Sequence, residues 1–302
     1  MVEAQPMSPL APPFRIIDQG LRDGTVIPFL GAGASLGARA AALAGDEEEL
    51  DVLPSGSMLS TRLAARANFP KGAKPDLATV AQYLEVVSSR DDLNRELRQV
   101  FARNYEPSRL HRYLASIDRP LLIVTTNYDD LIEKAFEGRP YDLVIHTTDE
   151  STSERLLWWP SGAAEPQPVL AKKLYIDLDE RPVIYKMHGA VDQLLAARDQ
   201  YVITEDDYVE FLSRLLKKKA VPAIFAEPFQ KRRFLFLGYG LRDWNLRVVL
   251  SRIDRAVRGS RVPRSWAIDA KPTTLETRLW QHRGVDFYKL TIEEFLDGIG
   301  AP

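Results

Sequence analysis

Four groups of glycine and polar residues each follow a short apolar run, and their residue types suit ligand binding and cleavage. They are Gly31-Ala-Gly-Ala-Ser35, Asn127 with Asp129, His188 with Gly189, and Gly238-Tyr-Gly240 with Asp243 and Asn245. Glycines let the backbone turn tightly and approach an anion, while asparagine and aspartate offer hydrogen bonds. Histidine suits general-base work near neutral pH.

The glycine-rich turn that follows Thr25–Leu30 predicts a phosphate site, because free N–H groups at a helix N-terminus attract anions. Its third glycine is Gly37, so the spacing G-x-G-x-x-x-G departs from the dinucleotide fingerprint of conventional dehydrogenases. The motif G-x-x-x-x-G-K-[ST] does not occur, which excludes a P-loop nucleotidase.

The polar residues at the other positions each have a structural alternative. Asn127 and Asp129 could simply cap a helix, and a lone histidine such as His188 at a strand end is more often structural. Their convergence favours a site, because open α/β sheets bind ligands beyond the carboxyl ends of their strands.

The elements that must position these residues are short β-rich runs, most of them separated by stretches of helical spacing. The runs are Thr25–Leu30, Leu121–Thr126, Asp142–His146, Val183–Met187, Phe234–Leu237 and Trp266–Asp269, with a weaker one at Val285–Lys289. Helices are predicted at Leu77–Val87, Asp91–Asn104, Tyr128–Phe136, Asp206–Leu216 (with Thr204 as its cap), Asn245–Arg258 and Ile292–Leu296. Near-continuous apolarity indicates strands buried on both faces, so we predict an α/β fold with a Rossmann-like, doubly wound, mostly parallel sheet.

Three stretches fall outside this alternation. Residues 1–24 are expected to form a lead-in, flexible over Met1–Phe14, and residues 25–302 a single domain. The long segment between the first two strands predicts a helical insertion at about 37–119, with a mobile loop before its helices. Thr147–Glu180 predicts an irregular surface excursion, in which Trp158 and Trp159 are interpreted as packing anchors.

Composition narrows the class of protein. The chain has 302 residues, of which 45% are hydrophobic and 27% charged, with a net charge of −2, so no global field recruits nucleic acid or anionic lipid. Lys217–Lys219 and Lys231–Arg233 are interpreted as solvated helix ends, with a partner or nucleic-acid contact as the alternative. The absence of cysteine excludes disulfides and cysteine-ligated zinc, and the four histidines lack metal-ligand spacing. With no signal peptide and no apolar run near the roughly 20 residues of a membrane span, we expect a cytoplasmic protein.

The ordered set GAGAS, TTNYD, HG and LGYGLRDWN resembles the sirtuin (Sir2) superfamily, specifically the bacterial Sir2-like domains that hydrolyse NAD⁺ in antiphage defence. The resemblance runs from about Val26 to Leu296, and Thr204–Tyr208 also fits that branch. It implies a Sir2-like fold without a zinc module and a glycohydrolase that converts NAD⁺ to nicotinamide and ADP-ribose, with no metal.

The resemblance also implies residue roles. Asn127 and His188 would be catalytic, Asn127 by orienting the nicotinamide ribose and His188 by accepting a proton. The residues implied to bind NAD⁺ are Gly31, Ala32, Gly33 and Ser35 at the diphosphate, Thr126 and Asp129 at the nicotinamide end, and Gly238, Tyr239 and Gly240 at the adenosine ribose, followed by Asp243 and Asn245.

The branch further implies a homo-oligomer and a partner protein such as a HerA-like ATPase or a short Argonaute. Neither a membrane nor sequence-specific nucleic-acid contact is expected.

In three places the motifs of this chain differ in sequence from those of the wider sirtuin superfamily. Thr126 replaces a glutamine, Gly240 replaces a frequent serine, and Leu-Gly-Ala-Arg-Ala follows Ser35 where deacetylases have Gly-Ile-Pro-Asp-Phe-Arg. Two alternatives to the hydrolase stay open: a non-catalytic subunit that binds NAD or ADP-ribose, and an NAD-dependent protein deacylase or ADP-ribosyltransferase.

Overall fold

The computed structural model describes residues 11–35, 53–72, 76–148, 155–216, 221–239 and 264–302. The strands are β1 (Val26–Leu30), β2 (Leu122–Thr125), β3 (Asp142–His146), β4 (Arg155–Trp159), β5 (Gln167–Leu170), β6 (Val183–Lys186), β7 (Gly189–Ala190), β8 (Gln200–Tyr201), β9 (Arg233–Leu237), β10 (Ser265–Ile268) and β11 (Val285–Tyr288). The helices are α1 (Phe14–Arg22), α2 (Gly56–Arg66), α3 (Leu77–Val87), α4 (Arg90–Phe101), α5 (Arg109–Ser116), α6 (Leu131–Ala135), α7 (Glu205–Leu216), α8 (Ala226–Lys231), α9 (Thr274–Gln281) and α10 (Ile292–Gly298).

Nine of the described strands form one sheet in the order β11-β10-β9-β1-β2-β6-β3-β4-β5, and β7 pairs with β8. The first seven strands in this order are parallel, with Phe29 of β1 opposite Val124 of β2 and Phe236 of β9. The predicted doubly wound, mostly parallel sheet is confirmed.

Helices cover both faces of the sheet, because the central strands are apolar at successive positions, whose side chains point to opposite faces. Ile27 and Phe29 of β1 belong to a core that includes Phe211 of α7, Phe229 of α8 and Trp280 of α9. On the opposite face, Val26 and Leu30 belong to a core with residues of α1, α5 and α10. The central strands are therefore shielded from water on both sides.

A third core is built by α2, α3 and α4, within the predicted insertion. Leu63, Val80 and Leu97 from these helices are fully buried, in a cluster that includes Tyr128 and Tyr201 near the carboxyl ends of the strands. We call α2–α4 the helical layer. The predicted mobile loop before it lies largely outside the described residues.

The structure differs from the sequence expectation at the N-terminus. Residues 14–22, expected to belong to a lead-in, form α1, where Ile17 and Leu21 are completely buried. The four prolines in Met1–Phe14 are typical of a flexible segment. Pro13, however, is the N-cap residue of α1. Phe14, Ile17 and Leu21 then lie on one face of this helix. The lead-in therefore ends before α1.

The expected irregular excursion at Thr147–Glu180 is also corrected. It contains β4 and β5, which extend the sheet antiparallel from β3. Trp158 packs against the core and donates from Nε1 to the Asp142 carboxylate at 3.0 Å. β5 has only exposed and half-buried residues, so it lacks the apolar run of a central strand.

Helix starts follow local capping chemistry. The Asp207 N–H donates to the Thr204 hydroxyl at 3.1 Å, and the Thr204 N–H donates back to the Asp207 carboxylate at 3.0 Å, so the predicted cap is confirmed. Helix α6 begins at Leu131 rather than at Tyr128, because residues 127–130 form the turn that follows β2. The predicted helix Asn245–Arg258 lies outside the described residues. Among the described residues, none of the helices is both long and apolar enough to cross a membrane.

Replacing Ile17 with alanine is expected to lower the free energy of unfolding by about 2–5 kcal/mol, because its buried side chain would leave a cavity. The same change at Ile16, which is 56% exposed, is expected to cost less than about 0.5 kcal/mol. Urea unfolding measures both values. Equal losses would mean that α1 contributes no more buried contact at Ile17 than at Ile16.

Candidate functional site

The site lies at β1, where the order of strands in the sheet changes direction: β2, β6 and β3 lie on one side of β1, and β9, β10 and β11 lie on the other. β1 pairs with β2 on one side and with β9 on the other, so the turns that follow β1 and β9 meet at the carboxyl edge of the sheet. Loops diverge to opposite faces at such a switch point, which opens a crevice there.

The turns after β1 and β9 are in close backbone contact. The Gly33 N–H donates to the Gly238 carbonyl at 2.8 Å. A Cβ atom on Gly33 would lie 2.7 Å from the Gly238 Cα, and one on Gly31 would lie 2.6 Å from the Tyr239 ring. Gly238 has φ +63° and leaves no room for a Cβ against the amide of Ala34. The glycines are therefore required by the packing of one turn on the other.

The amide groups of the turn after β1 are less free than its glycine content predicts. The N–H groups of Gly31, Gly33 and Ala34 donate to main-chain carbonyls within the protein at 2.8–3.0 Å. Ala32 borders the cleft, and Ser35 is buried with no hydrogen-bond partner for its hydroxyl among the described residues. An anion in this turn would therefore not find those three amides available.

The segment after β2 carries Asn127 against this turn. The Thr125 hydroxyl donates to the Leu30 carbonyl at 3.1 Å and accepts from the Asn127 N–H at 3.0 Å. The Asn127 side-chain nitrogen then donates to the Gly31 carbonyl at 3.1 Å. The amide is thus oriented by the protein, and its Oδ1 is the end suited to accept a hydrogen bond from a ligand.

Asp129 lies on the same segment and is nearly inaccessible, with 3% of its surface exposed. One carboxylate oxygen accepts from the Leu131 N–H at 3.2 Å, although the N-cap residue of α6 is Asp130 rather than Asp129. Burial raises the pKa of the Asp129 carboxyl, and the ammonium of Lys186 opposes this effect.

His188 follows β6 and is fixed through its backbone and its ring. The His188 carbonyl accepts from the Val202 N–H at 2.9 Å. Its ring meets those of Tyr208 and Phe211 nearly edge to face, with centroids 5.6 and 5.4 Å away. Only 5% of His188 is exposed, and the residue borders the cleft, so a bound ligand would meet a ring of restricted motion.

A second buried histidine, His146, packs on the other side of this aromatic cluster. Its ring lies 5.1 Å from that of Phe211, and its Nδ1 has no partner among the described residues. Burial lowers the pKa of His146 to about 3, with smaller contributions from Arg214 and His188. His146 is therefore neutral in the folded protein at neutral pH.

These strand ends enclose a cleft of about 230 Å³. The residues predicted from the sequence that line it are Ala32, Thr126, Asn127, Asp129, His188, Gly238 and Tyr239. Tyr128 and Tyr208 lie beside them, and the helical side is closed by Leu53, Pro54, Gly56, Leu59, Leu77 and Phe101. The predicted Gly240, Asp243 and Asn245 lie outside the described residues.

Larger hollows of about 350 and 620 Å³ occur elsewhere in the described chain. The first lies beside α6 and β3, and the second lies beneath α1 and β9. Neither gathers the carboxyl-end residues of several parallel strands, so we take the smaller cleft as the candidate site. In the described ranges, no group of three or more histidine, aspartate or glutamate side chains could hold a metal ion.

The helical layer is joined to the cleft by the acidic first turn of α7. Three side-chain contacts make this join: Thr79 to Glu205 at 2.7 Å, Gln82 to Asp206 at 3.0 Å, and Arg90 to Asp207 at 2.9 Å. Arg90 also donates to the Tyr201 carbonyl at 2.6 Å. Because Tyr208 follows directly in α7, the layer and one wall of the cleft are held together.

Sequence reasoning missed Lys186, which is completely buried two residues before His188. Its Nζ lies 2.6 Å from the Glu133 carboxylate and donates to the Asp129 carbonyl. A lysine inside an apolar strand was the available signal, because a buried ammonium requires nearby compensation.

Comparison of the sequence with known proteins identifies relatives of this chain. The model of the SIR2-like domain family matches residues 121–288. Curated proteins named NAD(+) hydrolase ThsA are 32% identical over 200 residues in Enterococcus faecium and 31% identical over 195 residues in Acinetobacter baumannii (strain 532279). These alignments cover 62% and 63% of this chain but 34% of each relative, so the chain spans about one third of their length.

A third relative of the same name, from Bacillus cereus (strain MSX-D12), is 28% identical over 184 residues, which are 60% of this chain and 32% of that protein. Among solved structures, the crystal structure of a Sir2 homolog–NAD complex covers 99% of this chain and 95% of its own, at 12% identity and a TM-score of 0.43.

Replacing Gly238 with alanine is expected to destabilise the protein by more than the same change at Gly284. Both glycines have positive φ, +63° and +77°, which costs an alanine about 1–2 kcal/mol. Only at Gly238 does the new Cβ also collide with backbone, adding about 1–3 kcal/mol. Urea unfolding of both variants compares the losses. Equal values would contradict the close approach of the two turns.

Replacing His146 with leucine is expected to make stability less dependent on pH. As pH falls from 6.5 toward 3, the unfolded chain binds a proton at this histidine while the folded chain does not, so folding stability is lost. Between pH 7 and 5 His146 accounts for about 2 kcal/mol of the loss in wild type, and the variant lacks this contribution while keeping that of His111. Urea unfolding at both pH values tests this, with the exposed His282→Leu as control. A wild-type dependence retained in His146→Leu would contradict it.

Proposed function

The chain belongs to the SIR2-like domain family, and on that premise we propose that it is an NAD⁺ glycohydrolase that releases nicotinamide and ADP-ribose. One observation carries the proposal: a single cleft at the switch point of the sheet brings together Asn127, Asp129 and His188. The relatives named NAD(+) hydrolase support the choice of substrate.

In the proposed reaction, the bond between nicotinamide and ribose breaks, and nicotinamide leaves with the bonding electron pair. The positively charged sugar is attacked by water, which gives ADP-ribose after losing a proton. Asn127 orients the nicotinamide ribose through the amide that Gly31 holds, and Asp129 accepts a hydrogen bond from the same end of the substrate. Thr126 borders this end of the cleft.

We assign His188 as the proton acceptor, acting on the attacking water or on a ribose hydroxyl. Its packing against Tyr208 and Phe211 supports this role, because a base must be held within hydrogen-bond reach of the proton it takes. Burial of the site also strengthens its interactions with the developing charge.

The remainder of NAD⁺ is proposed to lie along the turns after β1 and β9. Gly31, Ala32, Gly33 and Ser35 would border the diphosphate, with Gly238, Tyr239 and Gly240 at the adenosine ribose and Asp243 and Asn245 beyond. Because the Gly31 and Gly33 amides are already bonded, we propose that these glycines act through the close approach of their backbone.

In the cell, we propose that the protein is a cytoplasmic antiphage effector that depletes NAD⁺ and works as a homo-oligomer. A partner such as a HerA-like ATPase or a short Argonaute would control when it cleaves. Light scattering of the purified chain, alone and with the product of a neighbouring gene, tests the assembly.

His188→Ala and Asn127→Ala are each expected to reduce NAD⁺ cleavage at least 100-fold, because each removes a group that acts in the transition state. The exposed residues His282 and Asn104 offer matched controls, and their alanine variants are expected to keep wild-type rates. Chromatography of nicotinamide and ADP-ribose measures the products.

The same assay separates the alternatives. NAD⁺ that binds but is never cleaved, alone or with a partner, would replace the hydrolase with a regulatory binding subunit. Nicotinamide released only when an acylated peptide is added would instead indicate a deacylase.

A further inference from the structure

The completely buried Lys186 has no part in the reaction described above, yet it lies between the two segments that carry the site. β6 holds it two residues before His188. Its ammonium donates to the Asp129 carbonyl and lies 2.6 Å from the Glu133 carboxylate, 57 and 53 residues earlier in the chain. The side chain therefore crosses from the strand of His188 to the segment of Asn127 and Asp129.

This contact lies where the pairing of β2 with β6 ends, so the segments that carry the site continue beyond the sheet. Thr125 and Lys186 form the last register pair between β2 and β6. The Met187 N–H still donates to the Thr125 carbonyl at 2.9 Å, and beyond it Val191 donates to the Tyr128 carbonyl at 3.0 Å. Lys186 adds a charged contact to these main-chain bonds.

The charges around Lys186 give it an electrostatic role as well. It faces the carboxylates of Asp129 and Glu133, and its charge also acts on the neutral, buried His111. Asp129 in turn faces Lys186 and the carboxylate of Asp130. Burial and Asp130 both favour a protonated Asp129, and Lys186 favours the ionised carboxylate.

We propose that Lys186 is a positioning residue: its ammonium fixes the Asn127–Glu133 segment to the end of β6, two residues before His188. This inference rests on the proposed glycohydrolase function. Lys186 itself is not assigned a contact with the substrate.

The test variant must remove the Lys186 ammonium without leaving the carboxylate of Glu133 buried and unpaired. Lys186→Met alone strands the Glu133 carboxylate in the interior, so it is expected to destabilise the fold. The double variant Lys186→Met/Glu133→Met replaces the ion pair with apolar side chains, and its unfolding midpoint is expected to lie close to that of wild type.

Cleavage of NAD⁺ by this double variant is followed from pH 5 to 9. We expect kcat/KM to fall at least tenfold and its acidic limb to move to higher pH, because Asp129 has lost its neighbouring cation. Lys186→Gln, whose amide can still donate to the Asp129 carbonyl, is expected to show the same shift of the acidic limb. It also serves as the test variant if the double variant does not fold.

Arg139→Met is the matched control. Arg139 is another cation that donates to main-chain carbonyls, those of Ala115 and Ile117, but it does not line the cleft. The variant is expected to lose stability while kcat/KM and the acidic limb stay within twofold and a few tenths of a pH unit of wild type.

Wild-type kcat/KM and an unshifted limb in a folded variant without Lys186 would overturn the inference and leave the hydrolase proposal intact. If wild type binds NAD⁺ without cleaving it, calorimetric titration at pH 6 and 8 replaces the rate, and equal affinities in wild type and variant overturn the inference. A wild-type chain that neither binds nor cleaves NAD⁺ removes both proposals.

Discussion

The contact between the backbones of Gly33 and Gly238 is the constraint on which the rest of the site depends. Parallel pairing of β1 with β9 brings these two turns to the same level, and their glycines let them touch with no side chain between them. Asn127 is then hydrogen-bonded to this joined pair through Gly31. A side chain at the contact would push the two turns apart and would shift Asn127, which is hydrogen-bonded to one of them.

Several polar side chains close to these two turns are buried in the interior of the protein. Asp129, Lys186 and Glu133 share one buried region, in which burial raises the pKa of both carboxyls and the Lys186 ammonium opposes this effect. His111 and His146 are also buried, and they are neutral at neutral pH because burial lowers their pKa values to about 3.

Much of the fold was predictable because central parallel strands carry an unmistakable apolar pattern. All seven predicted strands are present, and the convergence of Asn127 and His188 follows from the rule that such strands share a carboxyl edge. The pattern failed where burial is partial: β5 has no fully buried residue, and prolines obscured the start of α1. Lys186 was missed because its partner Glu133 is 53 residues away, a distance that local sequence does not reveal.

The position of β1 in the sheet has a consequence for synthesis on the ribosome. β1 is synthesised well before its neighbour β9, which begins at Arg233, about 200 residues later. Until then the glycine turn has nothing to pack against, and the α7 residues that hold the helical layer also come late, at 205–207. A nascent chain therefore displays Asn127 and His188 before it has a cleft, and the site is assembled only after β9 has been synthesised.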